Sequence, residues 1–398
     1  MVLNRHIVIG ICGGIASYKA VDLVSQLQQA GALVDVIMTE HAEEFIRPLT
    51  FATMSHRPVY SNLWEPSGQA AEIHIALAEE AELLVIVPAT ANTIAKLAHG
   101  MADNMLTAVA LATKASLLLA PAMYKEMYTH PATQVNLALL RERGAHIVEP
   151  EVGRLASGAV GPGRLPDTAV LVGAISMTLG QHGDLAGRRV IVTAGGTQEP
   201  IDPVRYIGNR SSGKMGYSLA TEARNRGAHV ILVSGPVALP APYGVELHYI
   251  NTALQMRDAV FSTTNPAKHK IKKSSNEGRG HEGAETFSIP LVQSPDILGE
   301  LADKLEGPTR GAQRHLIRVG FAAETDNVIT NARNKMSRKR VDLLVANDVT
   351  RSDSGFGTDT NKVFIFHADG AIEDLPVMSK AGIATAIWDR VVPLLSTR

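Results

Sequence analysis

The sequence predicts an α/β protein made of two doubly wound parallel-sheet domains. Three observations carry this. Short, almost wholly apolar runs alternate with helix-length stretches. The alternation stops at a polar, glycine-rich segment, residues 180–187 (GQHGDLAG), and then starts again. The length of 398 residues suits two domains of ordinary size.

In the first half, residues 6–12, 33–38, 83–87 and 116–120 read as strands. They are nearly all apolar, as parallel strands covered on both faces must be. Helical stretches at 17–30 and 91–99 lie between them. After the boundary, 189–193 reads as a strand running into a glycine turn, and 229–233 and 343–346 as further strands. Residues 363–366 and 371–375 flank Ala368-Asp369-Gly370, a hairpin turn. The polar stretch 262–288, with Lys268, Lys270, Lys272 and Lys273, reads as a mobile loop. The expected domains are 1–180 and 187–398. They share a fold class but no repeated motif.

Composition narrows the class. An apolar fraction of 45% and a charged fraction of 19% are those of a soluble globular protein. The balance of 38 basic to 39 acidic residues argues against a nucleic-acid surface. Cys12 is the only cysteine, so an intrachain disulfide is excluded and a reducing compartment fits. The N-terminal apolar run breaks at glycine after about seven residues, unlike a signal peptide. No window reaches the ~18 uninterrupted apolar residues of a membrane helix. A cytoplasmic protein without membrane contact is expected.

The first strand ends in Gly10-Ile11-Cys12-Gly13-Gly14-Ile15-Ala16-Ser17. Glycines at a strand-to-helix turn let backbone N–H groups approach a phosphate, and they also serve close packing alone. The spacing is not that of a dinucleotide fingerprint in either half, which disfavours a generic nicotinamide oxidoreductase. Loops beginning at Pro88 and at Gly100 add small, hydroxyl and amide side chains suited to a flavin. Together GICGGIASYK, PATANTIAKLAHGMADNML, PAM…M…HPATQ and GRLASGAVGPGRL resemble, over about residues 5–170, the flavin-dependent cysteine decarboxylases. The resemblance implies FMN held by Gly13, Gly14, Ser17, Thr39, Pro88, Thr90, Asn92, Asp103 and Asn104. It implies His74 as the catalytic histidine, whose type suits proton transfer near neutral pH. Tyr124 and Met127 would meet the substrate. Two positions depart from the family pattern. Tyr124 stands where asparagine usually holds the substrate carboxylate, and Ser157 stands where a flap cysteine usually donates a proton. Weakened turnover is the expectation.

In the second half, the strand runs into Ala194-Gly195-Gly196-Thr197, and Asn209-Arg210-Ser211-Ser212-Gly213-Lys214 starts a helix that reaches about residue 227. Ser-Ser-Gly-Lys lacks the leading glycine spacing of a P-loop, yet serines and N–H groups at a helix start still suit a phosphate or carboxylate. This run, with SPDIL at 294–298, GFAAET at 320–325 and ANDV at 346–349, resembles the phosphopantothenate–cysteine ligases over about residues 188–390. The resemblance implies a carboxylate activated by CTP as an acyl-cytidylate, then captured by the amine of cysteine. Lys270, Lys335 and Lys339 would face the triphosphate together with Mg²⁺, for which no ligands are assigned. Pro295, Asp296, Ile297, Leu298 and Phe321 would contact base and sugar, and Asn209 the acyl intermediate. Spacing alone reads Lys335 and Lys339 as a solvated helix face. The apolar strand that the family places shortly before its Lys-Ile-Lys-Lys is absent here, so weakened CTP binding is expected.

Joined, the two resemblances imply a flavodoxin-like first domain, a Rossmann-like second domain and a bifunctional enzyme of coenzyme A biosynthesis, the phosphopantothenoylcysteine decarboxylase and phosphopantothenate–cysteine ligase. It would turn 4′-phosphopantothenate and cysteine into 4′-phosphopantetheine as a homo-oligomer built on trimers, up to a dodecamer. The alternative is a flavin-binding oligomeric or regulatory protein with one or both activities impaired.

Overall fold

The computed structural model describes residues 2–64, 73–264, 294–305, 316–324, 328–348 and 357–396. The chain divides into two compact units, residues 1–187 with 224–228 and 242–244, and the rest of 188–398. The first unit begins β1 (His6–Ile11), α1 (Ser17–Gln29), β2 (Leu33–Met38), α2 (Glu40–Glu43), α3 (Pro48–Ser55) and β3 (Val59–Tyr60). It goes on through α4 (Ile73–Glu80), β4 (Leu83–Ala89), α5 (Ala91–His99), α6 (Met105–Ala112) and β5 (Ser116–Pro121). It ends α7 (Lys125–Thr129), α8 (Pro131–Glu142), β6 (His146–Ile147), β7 (Glu151–Arg154), β8 (Val160–Arg164) and α9 (Thr168–Gly180). All four strands read from the sequence are present.

Six strands form one parallel sheet in the order β3-β2-β1-β4-β5-β6. Alternation along each strand sorts side chains onto two buried faces. Ile7, Ile9 and Ile11 of β1 pack with Leu23 and Leu27 of α1 and with Leu171 and Ile175 of α9. Val8 and Cys12 turn the other way, against Ile94 of α5 and Leu106 and Val109 of α6. Gly10 shares that second face, and a Cβ there would lie 2.3 Å from Leu106 Cδ1. Glycine at this position lets α6 settle onto the sheet. Each such fully buried aliphatic side chain stabilises by about 1.5–3 kcal/mol. The order also creates a switch point: from β1 the chain runs outward to β2 and β3, then crosses back to β4 on the other side of β1.

The second unit contains β9 (Arg189–Ala194), β10 (Gln198–Pro200), β11 (Tyr206–Gly208), α10 (Lys214–Asn225), β12 (His229–Ser234), β13 (Glu246–Tyr249) and α11 (Ala253–Thr264). It continues α12 (Ile297–Leu305), β14 (Val319–Glu324), α13 (Val328–Lys339), β15 (Leu343–Asp348), β16 (Thr360–Asn361) and β17 (Val363–His367). It ends with β18 (Ile372–Asp374), β19 (Met378–Ser379) and α14 (Lys380–Ser396). Strands β13-β12-β9 are parallel. A second sheet, β14-β15-β17-β18, has a parallel pair extended by antiparallel strands. The turn between β17 and β18 carries Gly370 at φ +93°, which explains glycine there. Helix α12 serves both sheets. Leu301 packs with Ile231 and Val233, while Leu298 packs with Ala322 and Leu344. Among the described residues β9 and β14 are edge strands of separate sheets.

One expectation is corrected. Residues 262–264, read as the start of a polar loop, complete α11, where Val260 is buried and Thr263 bonds back to the Ala259 carbonyl. The rest of that segment, with Lys270, lies outside the described residues.

Candidate functional site

The first candidate site is a rim at the carboxyl ends of β2, β1, β4 and β5. Hydrogen bonds tie it together loop by loop. Thr39, which follows β2, donates its N–H to Ile11 O at 3.0 Å. Cys12 Sγ donates to Thr93 Oγ1 at 3.2 Å, and Thr90 Oγ1 does the same at 3.2 Å. Ala122 N–H reaches Ala89 O at 3.1 Å, and Met123 N–H reaches Gly163 O at 3.0 Å on β8. Gly13, Gly14, Ser17, Thr39, Pro88, Thr90 and Asn92 therefore lie on adjacent strand ends around the switch point, where α/β sheets bind ligands.

The two glycines differ. A Cβ on Gly13 would sit 2.5 Å from His41 Cβ and 2.7 Å from its backbone, so packing alone demands glycine. A Cβ on Gly14 would meet nothing within 4 Å. Gly14 faces open space at the start of α1, a cradle a phosphate could enter. Ser17 is buried in the first turn of α1, and Thr90 caps α5. Burial pushes the Cys12 thiol up, against its hydrogen bonds with Thr93 and Thr90.

The other expected residues take no part in the bonds just described. Asn104 caps α6 in a reciprocal pair with Thr107, at 3.0 and 3.3 Å. Asp103 bonds Lys96 of α5 at 2.6 Å, and that contact holds its carboxyl below the usual range. The side-chain bonds given for both stay within α5, α6 and their loop. His74 is the second residue of α4, which packs against α6 and receives Thr113 Oγ1 at Ala78 O, 2.8 Å. Tyr124 precedes α7 and is 43% exposed; Met127 is 50% exposed. Ser157 is exposed at the tip of the β7–β8 hairpin, whose base is anchored where Gly163 meets Met123.

The second unit gathers residues in two places. At the ends of β9 and β12, Asn209 Oδ1 accepts from Ser211 N at 2.9 Å, just before α10. A Cβ on Gly196 would lie 2.5 Å from that oxygen, so the glycine turn after β9 is fitted to Asn209. At the start of α12, Asp296 accepts from Gly299 N at 3.2 Å and pairs with Lys339 of α13 at 3.3 Å. Partial burial pushes the Asp296 carboxyl up, but the Gly299 N–H and Lys339 outweigh it and leave it below its ordinary value. Pro295, Ile297 and Leu298 are half-buried beside it, and Lys335 lies one turn from Lys339. Phe321 of β14 is 49% exposed. Lys339 is thus an ion-pair partner rather than a purely solvated charge. Sequence reasoning passed over Thr93, although Thr90 three residues earlier marks a capping position, and Lys214.

One other group of potential ligating side chains occurs among the described residues: His6, Asp35 and Glu80. Arg57 already occupies it, with Nε 2.7 Å from Asp35 Oδ1. It lies near the amino ends of β1 and β2, away from the rim.

Comparison with known proteins accords with this two-part arrangement. The "Flavoprotein" family profile matches residues 1–180, and that of the "DNA/pantothenate metabolism flavoprotein C-terminal domain" matches 185–394. The coenzyme A biosynthesis bifunctional protein CoaBC of Bacillus subtilis (strain 168) is 42% identical over 408 residues, covering 99% of this chain and 98% of the relative. The chain belongs to the coenzyme A biosynthesis bifunctional protein family. The family members of Escherichia coli (strain K12), 40% identical over 98% of this chain and 97% of the relative, and of Mycolicibacterium smegmatis, 39% over 100% of both, are similar throughout. Among solved structures, the C-terminal domain of a CoaBC protein aligns at 33% identity over 54% of this chain and 100% of that one, with a TM-score of 0.42. End-to-end similarity to bifunctional proteins does not favour the reading as a merely flavin-binding or regulatory protein.

Proposed function

We propose that this bifunctional enzyme of coenzyme A biosynthesis joins 4′-phosphopantothenate to cysteine at the expense of CTP and decarboxylates the product with FMN to 4′-phosphopantetheine. The observation that carries the reading is the succession of both family matches along one chain, 1–180 then 185–394. The catalytic domains are taken as 1–180 and 187–398. No helix of the described residues is long and apolar enough to cross a membrane.

In the first domain the residues present fit FMN. Gly14 leaves room for a phosphate at the start of α1, and the loops after β2 and β4 supply hydroxyls and an amide at neighbouring strand ends. Bound there, FMN would supply a two-electron acceptor, so that the substrate thiol, once oxidised to a thioaldehyde, could take up the electron pair left by CO2. His74 moves the proton. Tyr124 and Met127, exposed beside the hairpin, bind the substrate, and Ser157 stands over it on the hairpin. A serine hydroxyl is a far weaker acid than a thiol, so the last protonation is the slow step.

In the second domain Asn209 holds the acyl group where the α10 N–H dipoles favour an anion. Lys339 and Lys335, and Lys270 outside the described residues, neutralise the triphosphate with Mg²⁺. The half-exposed Phe321 ring and the start of α12 take the base. The cysteine amine then displaces CMP. We assign the protein to the cytoplasm, as a trimer-based homo-oligomer.

The test uses purified full-length protein. A yellow protein that consumes CTP only when phosphopantothenate and cysteine are both present is the expected result. A colourless protein that cannot be loaded with FMN would sink the first half of the reading, and one that is yellow but inert toward CTP the second.

A further inference from the structure

A pair of lysines in the second unit has no part in the scheme above. Lys214 is the first residue of α10 and Lys380 the first of α14. Both reach the same short segment before β16. Lys214 Nζ donates to Gly357 O at 3.0 Å and to Asp359 Oδ1 at 2.6 Å. Lys380 Nζ donates to the next carbonyl, Thr358 O, and the Lys380 backbone N–H donates to Asp359 O at 3.0 Å. The segment is therefore gripped by two ammonium groups on successive carbonyls. Lys214 holds the Asp359 carboxylate well below the usual range, with Lys380 adding to the effect.

Lys380 is only 6% exposed. Burying an ammonium is unfavourable, and an apolar residue of similar volume would serve plain packing at least as well. Burial and then the neighbouring Lys214 charge depress its pKa. Its charge has a consequence, however. Lys214 and Asp359 alone would form a neutral pair. Lys380 brings a second ammonium to the segment that Lys214, in the first turn of α10, also holds, and the helix dipole at that turn is positive as well. The same turn follows Asn209, whose Oδ1 accepts from Ser211 N.

We propose that Lys380 is a positioning residue of the ligase half: it holds the 357–359 segment against Lys214 and so fixes the Lys214 side chain at the start of α10, the helix that follows the Asn209 turn, where the anionic acid substrate docks. This rests on the ligase reading above. Lys380 acts through Lys214 and does not itself touch the substrate.

The experiment is steady-state ligase kinetics on the full-length holoenzyme, with phosphopantothenate varied at saturating CTP and cysteine. The variants are Lys380→Met, Lys380→Arg, Lys214→Met and the Lys380→Met/Lys214→Met double substitution. The expected result for Lys380→Met is a KM for phosphopantothenate about 10-fold higher with kcat nearly kept, the loss of one charge-assisted contact. Lys380→Arg should recover most of that affinity. The double variant should be no worse than Lys214→Met alone, since both changes remove one unit. Decarboxylation of supplied phosphopantothenoylcysteine should be unchanged in all. A fall in kcat and melting temperature with KM unmoved would make Lys380 merely structural and overturn the proposal, as would additive effects of the two single changes. Wild-type protein without any CTP-dependent ligation would instead overturn the ligase reading, and this role with it.

Discussion

Gly13 and Gly14 are adjacent in sequence and answer to different constraints. Gly13 abuts His41 and Gly14 meets nothing. Gly13→Ala should destabilise the first unit by about 1–3 kcal/mol, because its methyl group collides with backbone that cannot yield. Gly14→Ala should leave the melting temperature within the range of a surface change, roughly 0.5 kcal/mol. It should nonetheless weaken FMN binding by at least about 10-fold, read by flavin retained after gel filtration. Full flavin content in Gly14→Ala would show that the phosphate lies elsewhere. His74→Gln tests a chemical role in the same unit. It should slow decarboxylation by roughly 10²–10⁴ and leave ligation untouched. Equal losses in both reactions would point to misfolding instead. Neither difference is visible in the sequence, where both glycines and a lone histidine read ambiguously.

Among the elements, the grip of α14 on the edge of the second sheet is open to a pH test. Glu373 of β18 accepts from Arg390 Nη2 at 2.7 Å and from Nε at 3.2 Å, and His367 Nε2 lies 2.7 Å away. Arg390 first, and His367 after it, hold the Glu373 carboxyl below its usual value. A depressed carboxyl stabilises fully above its unfolded pKa, about 4.3, and the contribution fades as pH falls through the folded value. Glu373→Gln should therefore melt below wild type at pH 7, by no more than about 1 kcal/mol for a partly exposed pair. The gap should close as the solution is acidified through and below pH 4; a gap that is constant with pH would argue against the pairing. The hairpin containing Glu373 was legible beforehand, because Ala368-Asp369-Gly370 separates two short apolar runs. Its partner on α14 was not, because Glu373 and Arg390 are joined only by tertiary packing.

For the molecule as a whole, the two proposed sites rest on separate sheets, so damage to one should spare the other. The first sheet is complete, with its central β1 flanked by β2 and β4. In the second unit β9 and β14 each end a sheet among the described residues, and α12 packs on both. The departure of the sequence before Lys270 from the family pattern is the reason to expect weak CTP binding. Calorimetric titration of CTP into the full chain should give a Kd on the order of 1 mM or weaker. Micromolar binding would mean that another part of the chain supplies the contacts. In the first half, Ser157 in place of a thiol predicts that CO2 is released faster than reduced product appears. Equal rates in a coupled assay would show that the protonation is not limiting.

The main strands of the first sheet and the two families were legible in the sequence alone. They depend on local periodicity and on contiguous motifs, which a linear reading can follow. What the tertiary structure decided was which residues meet: the Thr39–Ile11, Cys12–Thr93 and Met123–Gly163 bonds that close the rim, the Asp296–Lys339 pair, and the hold of Lys214 and Lys380 on one segment. These contacts join positions as many as 145 residues apart, the span from Lys214 to Asp359. Their energy depends on distance and burial in three dimensions, quantities that no spacing along the chain encodes.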